Sequence, residues 1–323
     1  MDFSKNIFSI DITKLVDQCV GKTLSELFPN HKIIENSMGE CMEILWQIDD
    51  IPYSLNALNS KKKILKNLQA ADYIGNTIER YLQGRGVRTL YDLQHSLKYS
   101  RTANEILNLI RCKSYKELLK KKNVQDLDVS FCFNMEDFLF LDIETLGLYD
   151  NPMIIIGCGS FSQEKFQIKI YFAREIEEEI SMCEHLKNEI FPKFKCFITY
   201  NGKSFDIPYI ANRFLYYYDE NPMISEGDTP YEVSNTLFHH IDLYHNCRRK
   251  YKGKFSNYTL TNIEQKLLNW KRENELPSSI VGFCYLKYQK NPERYIGLIK
   301  EIIEHNFYDI YSMPLIFNML LER

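Results

Sequence analysis

A run of apolar residues that ends in two acids constrains this chain most. Residues 138–145 read FLFLDIET, in which every side chain before Asp142 is apolar. A strand that is apolar on both faces lies inside a sheet covered on both sides. Asp142 and Glu144 are two residues apart, so they point to the same face of that strand. Neighbouring acids at the end of a buried strand need a cation or hydrogen-bond donors opposite; the alternative is a strand that ends at the surface.

The pattern around this run predicts an α/β protein. Further strands are predicted at MIIIGCGS, KFQIKIYFA, CFITYN and TLFHHIDLYH, with helices before and after CFITYN and in most of the remaining chain. This order of elements is typical of a mixed sheet flanked by helices.

The length of 323 residues suggests about two domains. Residues 1–62 are predicted to be an N-terminal segment with short strands around Ser37-Met38-Gly39. Residues 63–125 show helical spacing of apolar residues and are predicted to form a small helical domain, with a helix-hairpin-helix-like stretch at GRGVRTLYDL. Residues 133–323 are predicted to form the main domain.

Composition excludes several classes of protein. The formal net charge is −3, so any contact with nucleic acid depends on local basic patches. The longest apolar runs are far shorter than the roughly 20 residues that span a bilayer, and we expect no contact with a membrane. The nine cysteines include no CxxC pair, which favours reduced thiols and a cytoplasmic location over a disulfide framework.

A third acid follows a strand and a turn. In YNGKSFDIPY, a strand runs into the turn dipeptide Asn201-Gly202, and Asp206 is predicted in the first turn of the next helix. Open α/β sheets place their sites at this edge of the sheet. The structural alternative for Asp206 is an acid that only caps the helix.

Further candidate site residues lie nearer the C-terminus. His305 and Asp309 are four residues apart and share one face of a predicted helix. Asp242 lies inside an apolar strand and is an additional candidate. The structural alternatives are a surface His–Asp pair and, for Asp242, a partner of Arg248 or Arg249.

Together these motifs resemble the DEDD (DnaQ-like) family of 3′-to-5′ exonucleases in the ribonuclease H-like superfamily. FLFLDIETLGL is similar to the first exonuclease motif, YNGKSFDIPYI to the second as found in the proofreading domains of family B DNA polymerases, and HNFYDI to the third. The overall likeness is greatest to the bacterial YprB-like predicted nucleases, which share the DIET, YNGxxFD and HNxxDI pattern. The resemblance covers residues 133–323. It implies a ribonuclease H-like mixed sheet of five strands, preceded here by a small, mainly helical region.

The resemblance also implies a chemistry. Asp142, Glu144, Asp206 and Asp309 are expected to hold two divalent ions, because Mg²⁺ and Mn²⁺ prefer oxygen ligands. His305 is expected to orient the attacking water or to take its proton. Proofreading exonucleases with a His place it five residues before the last Asp; the spacing here is four, which is that of the subgroup with Tyr.

Substrate contacts are expected between the second and third motifs. Arg248 and Lys250 belong to RRKYKGK, the densest basic run of the sequence, and its aromatic neighbours suit a single nucleic acid strand. Asn201 is a candidate for holding the turn or contacting substrate, and Phe205 for wedging against a terminal base. Their structural alternatives are a turn-forming Asn and a core Phe.

The predicted function is therefore metal-dependent 3′-to-5′ exonuclease activity on a single-stranded 3′ end of DNA or RNA. Two alternatives stay open at this point. One is an inactive nucleic-acid-binding or assembly protein on the same fold, and the other is a structure-specific endonuclease.

Overall fold

A seven-stranded sheet organises the computed structural model, which describes residues 12–53, 57–219, 221, 238–272 and 276–322. The order of the strands across the sheet is β1-β2-β5-β4-β3-β6-β7. The strands are β1 (His31–Asn36), β2 (Gly39–Ile48), β3 (Phe138–Thr145), β4 (Met153–Ser162), β5 (Lys165–Phe172), β6 (Cys196–Thr199) and β7 (His239–Asp242).

The sheet is mixed, as predicted. Strands β1, β2, β5, β4 and β3 pair antiparallel in that order, whereas β3 pairs parallel with β6 and β6 with β7. The prediction of an α/β fold is confirmed. The prediction of five strands is wrong, because the hairpin of β1 and β2, which was predicted as a separate N-terminal feature, pairs with β5 and extends the sheet by two strands.

Thirteen α-helices lie in the described part of the chain. They are α1 (Ile12–Asp17), α2 (Leu24–Leu27), α3 (Ala57–Lys66), α4 (Asn76–Gly84), α5 (Leu90–Leu93), α6 (Ser100–Arg111), α7 (Tyr115–Leu119), α8 (Glu179–His185), α9 (Asp206–Tyr218), α10 (Leu243–Lys250), α11 (Leu260–Ile263), α12 (Val281–Lys290) and α13 (Pro292–Leu321). A π-helical turn at Glu264–Leu268 continues α11.

Helices cover both faces of β3, which explains its uninterrupted apolar run. Phe138 and Phe140 face α13, where both rings contact Phe317. Leu139 and Leu141 face the other way, in a hydrophobic cluster with residues of α8 and α9. Because side chains alternate along a strand, the acids at even-numbered positions of β3 share the face covered by α13.

Two glycines of β4 allow α13 to pass close to the sheet. A Cβ atom at Gly157 would lie 2.1 Å from Oδ1 of Asn306, and one at Gly159 would lie 2.6 Å from Cγ2 of Ile310. Gly157 is paired with Asp142 across the β3–β4 ladder. The middle of α13 therefore lies directly over the end of β3.

The helices between residues 57 and 119 pack around a hydrophobic cluster that includes Ile64, Leu82, Ile106 and Leu118. They form the small, mainly helical region expected before the central strand. The strands β1 and β2 share one sheet with the later strands. The division of the chain at residues 62, 125 and 133 stays a prediction. Among the described helices, none combines the length and the apolar character needed to cross a bilayer.

Candidate active site

Four acids from three elements meet at the carboxyl end of β3. Asp142 and Glu144 lie in β3, Asp206 is the first residue of α9, and Asp309 is in the middle of α13. Burial raises the pKa of Asp142 well above its usual value, and the charges of the other three acids raise it further. The structure therefore brings together the four acids that the sequence selected.

Asp206 reaches the central strand from the start of α9. Its Oδ1 accepts a hydrogen bond of 3.1 Å from the N–H of Ile143, which lies between the two acids of β3. The side chain is almost fully buried. Burial raises the pKa of Asp206 to about 7, although backbone N–H groups that bond to the carboxylate oppose the shift. Asp206 is thus a buried member of the acid cluster and not a cap exposed to solvent.

One turn of α13 contacts both acids of β3. Nε2 of His305 lies 3.6 Å from Oε1 of Glu144 and 3.6 Å from Oδ2 of Asp309. Asn306 donates a hydrogen bond of 2.7 Å from Nδ2 to Oδ2 of Asp142. The sequence motifs assign Asn306 no role, although a polar residue three positions before Asp309 lies on the same helix face.

The acid cluster is short of positive charge. Burial raises the pKa of Glu144 to about 7; the charges of Asp309 and Asp206 also raise it, whereas those of His305 and Arg272 lower it. Two carboxyl groups with a pKa near neutrality indicate that the site retains protons at neutral pH until a cation compensates the negative charge.

The donor set fits a divalent metal ion. Single ligand atoms of Glu144, His305 and Asp309 all lie within 4.8 Å of one another. Asp142 and Asp206 contribute further carboxylate oxygens to the same cluster. Hard divalent cations prefer such oxygen ligands. Together with the raised pKa values, this chemistry makes the cluster a candidate site for Mg²⁺ or Mn²⁺.

Arg272 also enters the cluster, although no motif of the sequence points to it. Its Nη2 lies 2.6 Å from Oδ1 of Asp309 and also pairs with Oε1 of Glu264. Nε donates to Oε2 of Glu264 over 2.9 Å. The guanidinium lies close to the rings of Trp270 and Tyr308. Arg272 is thus held by a buried acid behind the site while it contacts one acid of the site.

Asp242 lies at the base of the loop that leads to Asp206. It is fully buried, and its carboxylate accepts hydrogen bonds of 3.0 Å from the N–H of Asn201, 3.1 Å from that of Lys203 and 3.0 Å from that of Tyr244. Arg249 forms its ion pair with Asp126. Among the described residues, no ion pair joins Asp242 to Arg248 or Arg249. Asp242 therefore shapes the loop through backbone contacts.

The predicted substrate candidates of this loop have structural contacts. Asn201 has a φ of +66°, in the left-handed region that Asn tolerates in turns. Phe205 is partly buried, and its ring centroid lies 5.2 Å from that of Tyr209. Substrate roles for both residues stay predictions.

A cavity of about 360 Å³ opens beside the acid cluster. His305 and Asp309 form one part of its lining. The other lining residues include three hydroxyl side chains and are Thr259, Leu260, Thr261, Leu276, Pro277 and Ser278.

The basic run of α10 does not line the cavity beside the acid cluster. Arg248 is exposed, with its guanidinium 5.5 Å from the ring of Tyr244. Nζ of Lys250 donates to the carbonyl oxygens of Met319, Leu320 and Glu322 at the end of α13. Lys250 thus caps that helix, and its predicted contact with substrate would have to coexist with this structural role.

The fold and the acid cluster define a ribonuclease H-like domain. Residues 139–321, more than half of the chain, match the RNase_H superfamily. The chain therefore belongs to the RNase H superfamily. This membership supports nuclease activity in general.

A curated relative is similar over the same part of the chain. It is the uncharacterized protein YprB of Bacillus subtilis (strain 168), which is 26% identical over 184 residues. The matched residues make up 56% of this chain and 41% of that protein, so the match spans about two fifths of the relative's length.

Proposed function

We propose that this chain is a metal-dependent 3′-to-5′ exonuclease of the DEDD type. The observation that carries the proposal is the convergence of Asp142, Glu144, Asp206 and Asp309, with His305 beside two of them. Buried like charges of this kind destabilise a fold, and such clusters occur at sites where a cation or reaction requires them.

The four acids would hold two divalent ions, Mg²⁺ or Mn²⁺. When bound, such ions lower the pKa of a water molecule and stabilise the leaving 3′ oxygen of a phosphodiester. Asn306 fixes the carboxylate of Asp142 through its hydrogen bond. Asp206 is fixed by the N–H of Ile143. Both acids are therefore oriented before any ligand arrives.

His305 would orient the attacking water or accept its proton. Its Nε2 faces Glu144 and Asp309 at equal distances of 3.6 Å, and an imidazole changes its protonation state near neutral pH. The side chain also lines the cavity beside the site. His305 would thereby border the space in which we expect a substrate phosphate, although its side chain is largely buried.

The cavity is where we expect the end of the substrate strand. Thr259, Thr261 and Ser278 offer hydroxyl groups to phosphate or sugar, and Leu260 and Pro277 offer apolar contact to a base. The choice between DNA and RNA depends on contacts with the 2′-hydroxyl group.

End-labelled single- and double-stranded DNA and RNA, incubated with Mg²⁺, Mn²⁺ or EDTA, provide the test. We expect stepwise shortening from the 3′ end with either metal and none with EDTA. Cleavage of circular single strands would instead indicate an endonuclease. Binding without cleavage under every metal condition would contradict the proposal and favour an inactive binding protein.

A further inference from the structure

We propose that Arg272 is a cation built into the acid cluster, where it competes with a divalent ion for Asp309. The inference rests on the proposed metal site and adds a residue that regulates how strongly this site binds metal. Neither the family match nor the motifs assign Arg272 a role.

Glu264 keeps Arg272 in place. The side chains of both residues are at least 96% buried, since only 4% of Arg272 and 1% of Glu264 are exposed. Nε and Nη2 of Arg272 each contact a different oxygen of the Glu264 carboxylate. If Arg272 left this position, a buried carboxylate would lose its cation, which is strongly unfavourable. Arg272 is therefore a fixed charge at the site.

Asp309 lies between this fixed charge and the rest of the site. Its Oδ1 is 2.6 Å from Arg272, and its Oδ2 is 3.6 Å from His305. The same residue lines the cavity. A metal ion that binds Asp309 must share the carboxylate with the guanidinium or turn it away from Arg272. Either change costs free energy, so Arg272 weakens metal binding and partly neutralises the cluster when no metal is bound.

Mn²⁺ binding to the full-length protein, without nucleic acid, tests this inference by calorimetry or by electron paramagnetic resonance. In Arg272→Gln, we expect the dissociation constant for Mn²⁺ to fall by about tenfold or more, because a competing cation is lost. The melting temperature in EDTA should fall as well, since the acids then repel each other without compensation. Arg174→Gln is the matched control, because Arg174 pairs with Glu178 and Glu40 outside the cluster.

A second variant should change the affinity for Mn²⁺ in the opposite direction. Glu264→Gln removes a charged partner of Arg272 and should strengthen its pairing with Asp309, so Mn²⁺ binding should weaken. If Arg272→Gln does not fold, Arg272→Lys should give a smaller change in the same direction, because one ammonium group cannot bridge two carboxylates. Unchanged or weaker Mn²⁺ binding in the Arg272 variant that folds overturns the inference. Absence of Mn²⁺ binding in the wild-type protein would instead overturn the metal site itself.

A second inference rests on a different observation: two basic segments that are far apart in the sequence meet in the fold. A cavity of about 480 Å³ lies between α3, α10 and the end of α13. Its basic lining residues are Lys62, Lys63, Lys66, Arg249 and Lys250, and its acidic lining residues are Asp128 and Glu322. Lys63 pairs with Asp128, whereas Lys62 and Lys66 are exposed.

We infer that this basic cavity binds backbone phosphates of the substrate strand outside the active site, which again rests on the proposed function. Asp309 and the end of α13 are separated by twelve residues, which is about 18 Å along a helix. A strand of several nucleotides can span this distance. Lys63 and Arg249 are paired with acids and Lys250 caps α13, so Lys62 and Lys66 supply the positive charge for a polyanion. Such contacts with phosphates carry no sequence preference.

Fluorescence anisotropy in EDTA, at several salt concentrations, tests the basic cavity with a labelled single strand of about twenty nucleotides. For Lys62→Ala combined with Lys66→Ala, we expect weaker binding and a salt slope reduced by about 1.4, the value for two phosphate contacts on a single strand. Lys61→Ala, on the same helix but outside the cavity, should leave binding unchanged.

Metal-dependent cleavage of a dinucleotide, which is too short to reach both places, should be the same in the double variant and the wild-type protein. An unchanged salt slope in the double variant, or an equal loss in Lys61→Ala, overturns the basic cavity as a phosphate site. If the wild-type protein binds neither DNA nor RNA, the proposed function itself fails.

Discussion

Asn306 of α13 and Asp142 of β3 are joined by a hydrogen bond of 2.7 Å, which connects the third motif directly to the first. Asn306 is fully buried and has no exposed surface. The contact exists because Gly157, opposite Asp142, has no side chain to keep the amide away. This relationship makes Asn306 a positioning residue for an acid of the candidate site.

Replacing Asn306 by Ala should lower metal affinity or turnover by about 10- to 100-fold, the usual cost of losing a partner that orients a metal ligand. The acid itself stays, so activity should fall and not disappear. Mn²⁺ titration and steady-state cleavage of a labelled strand measure the two effects. Asn188→Ala, at an exposed position of the chain, is the control, and equal behaviour of both variants would contradict the positioning role.

Gly157→Ala should destabilise the protein by about 1–3 kcal/mol, because a Cβ at this position would lie 2.1 Å from Oδ1 of Asn306 and 2.8 Å from Cγ1 of Ile310. Urea denaturation measures the loss of stability. Gly75→Ala is the matched control, since a Cβ there meets no atom within 4 Å. A Gly157→Ala protein as stable as the wild type would show that α13 can move away from β4 without cost.

Asp142→Asn and Asp206→Asn should each lower turnover by about 10³-fold or more, because the acids act as one unit. The measurement is the initial rate of nucleotide release with Mg²⁺. Asp72→Asn, at an exposed position in the helical region, should leave the rate unchanged. Cleavage at the wild-type rate by both site variants would rule out the assignment of the acids.

The stability of the metal-free protein should decrease as the pH rises toward neutrality and beyond. Asp206 and Glu144 have pKa values of about 7 in the folded chain, compared with usual values of 3.8 and 4.5. The folded state therefore holds more protons than the unfolded state between these values. Their contribution to stability is complete below the unfolded pKa and is lost as the pH rises through about 7.

Thermal unfolding in EDTA from about pH 5 to about pH 8 measures this effect. Asp206→Asn should show a smaller decrease in melting temperature than the wild type, because it has one fewer group to ionise. Saturating Mn²⁺ should oppose the decrease in the wild type. A melting temperature that rises over this range in EDTA, and equally in both proteins, would contradict the raised pKa values.

A buried ion pair away from the site should hold α9 in place. Nε of Arg213 donates to Oε1 of Glu179 over 2.7 Å, and the N–H of Met153 donates to the same oxygen over 2.8 Å. Arg213→Met should cost about 3–5 kcal/mol, because Glu179 is then a buried charge without its cation. Adding Glu179→Gln should recover much of the loss, because a neutral amide oxygen can still accept the N–H of Met153.

Urea denaturation compares these two proteins with Lys120→Ala, which breaks an exposed pair with Glu117. Exposed pairs contribute at most about 1 kcal/mol. A loss in Arg213→Met no larger than that of Lys120→Ala would show that the buried pair contributes little.

The local elements were largely predictable from the sequence. The apolar run before Asp142 predicted a strand covered on both faces, and β3 is such a strand. The turn at Asn201 predicted a helix that begins near Asp206, where α9 begins. The spacing of His305 and Asp309 predicted one helix face, which is found in α13. Each of these predictions depends on short-range periodicity, which tertiary contacts did not override.

The sequence by itself determined the α/β pattern, the order of the acids and their chemistry, because strand and helix periods and the preference of carboxylates for hard cations are properties of short segments. Only the tertiary structure decided that the N-terminal hairpin joins the sheet, that Arg272 pairs with Asp309, and that Lys62 and Arg249 line one cavity. These contacts join residues that are distant along the chain. No local pattern specifies such pairs, since they arise only when packing of the hydrophobic core brings separate elements together.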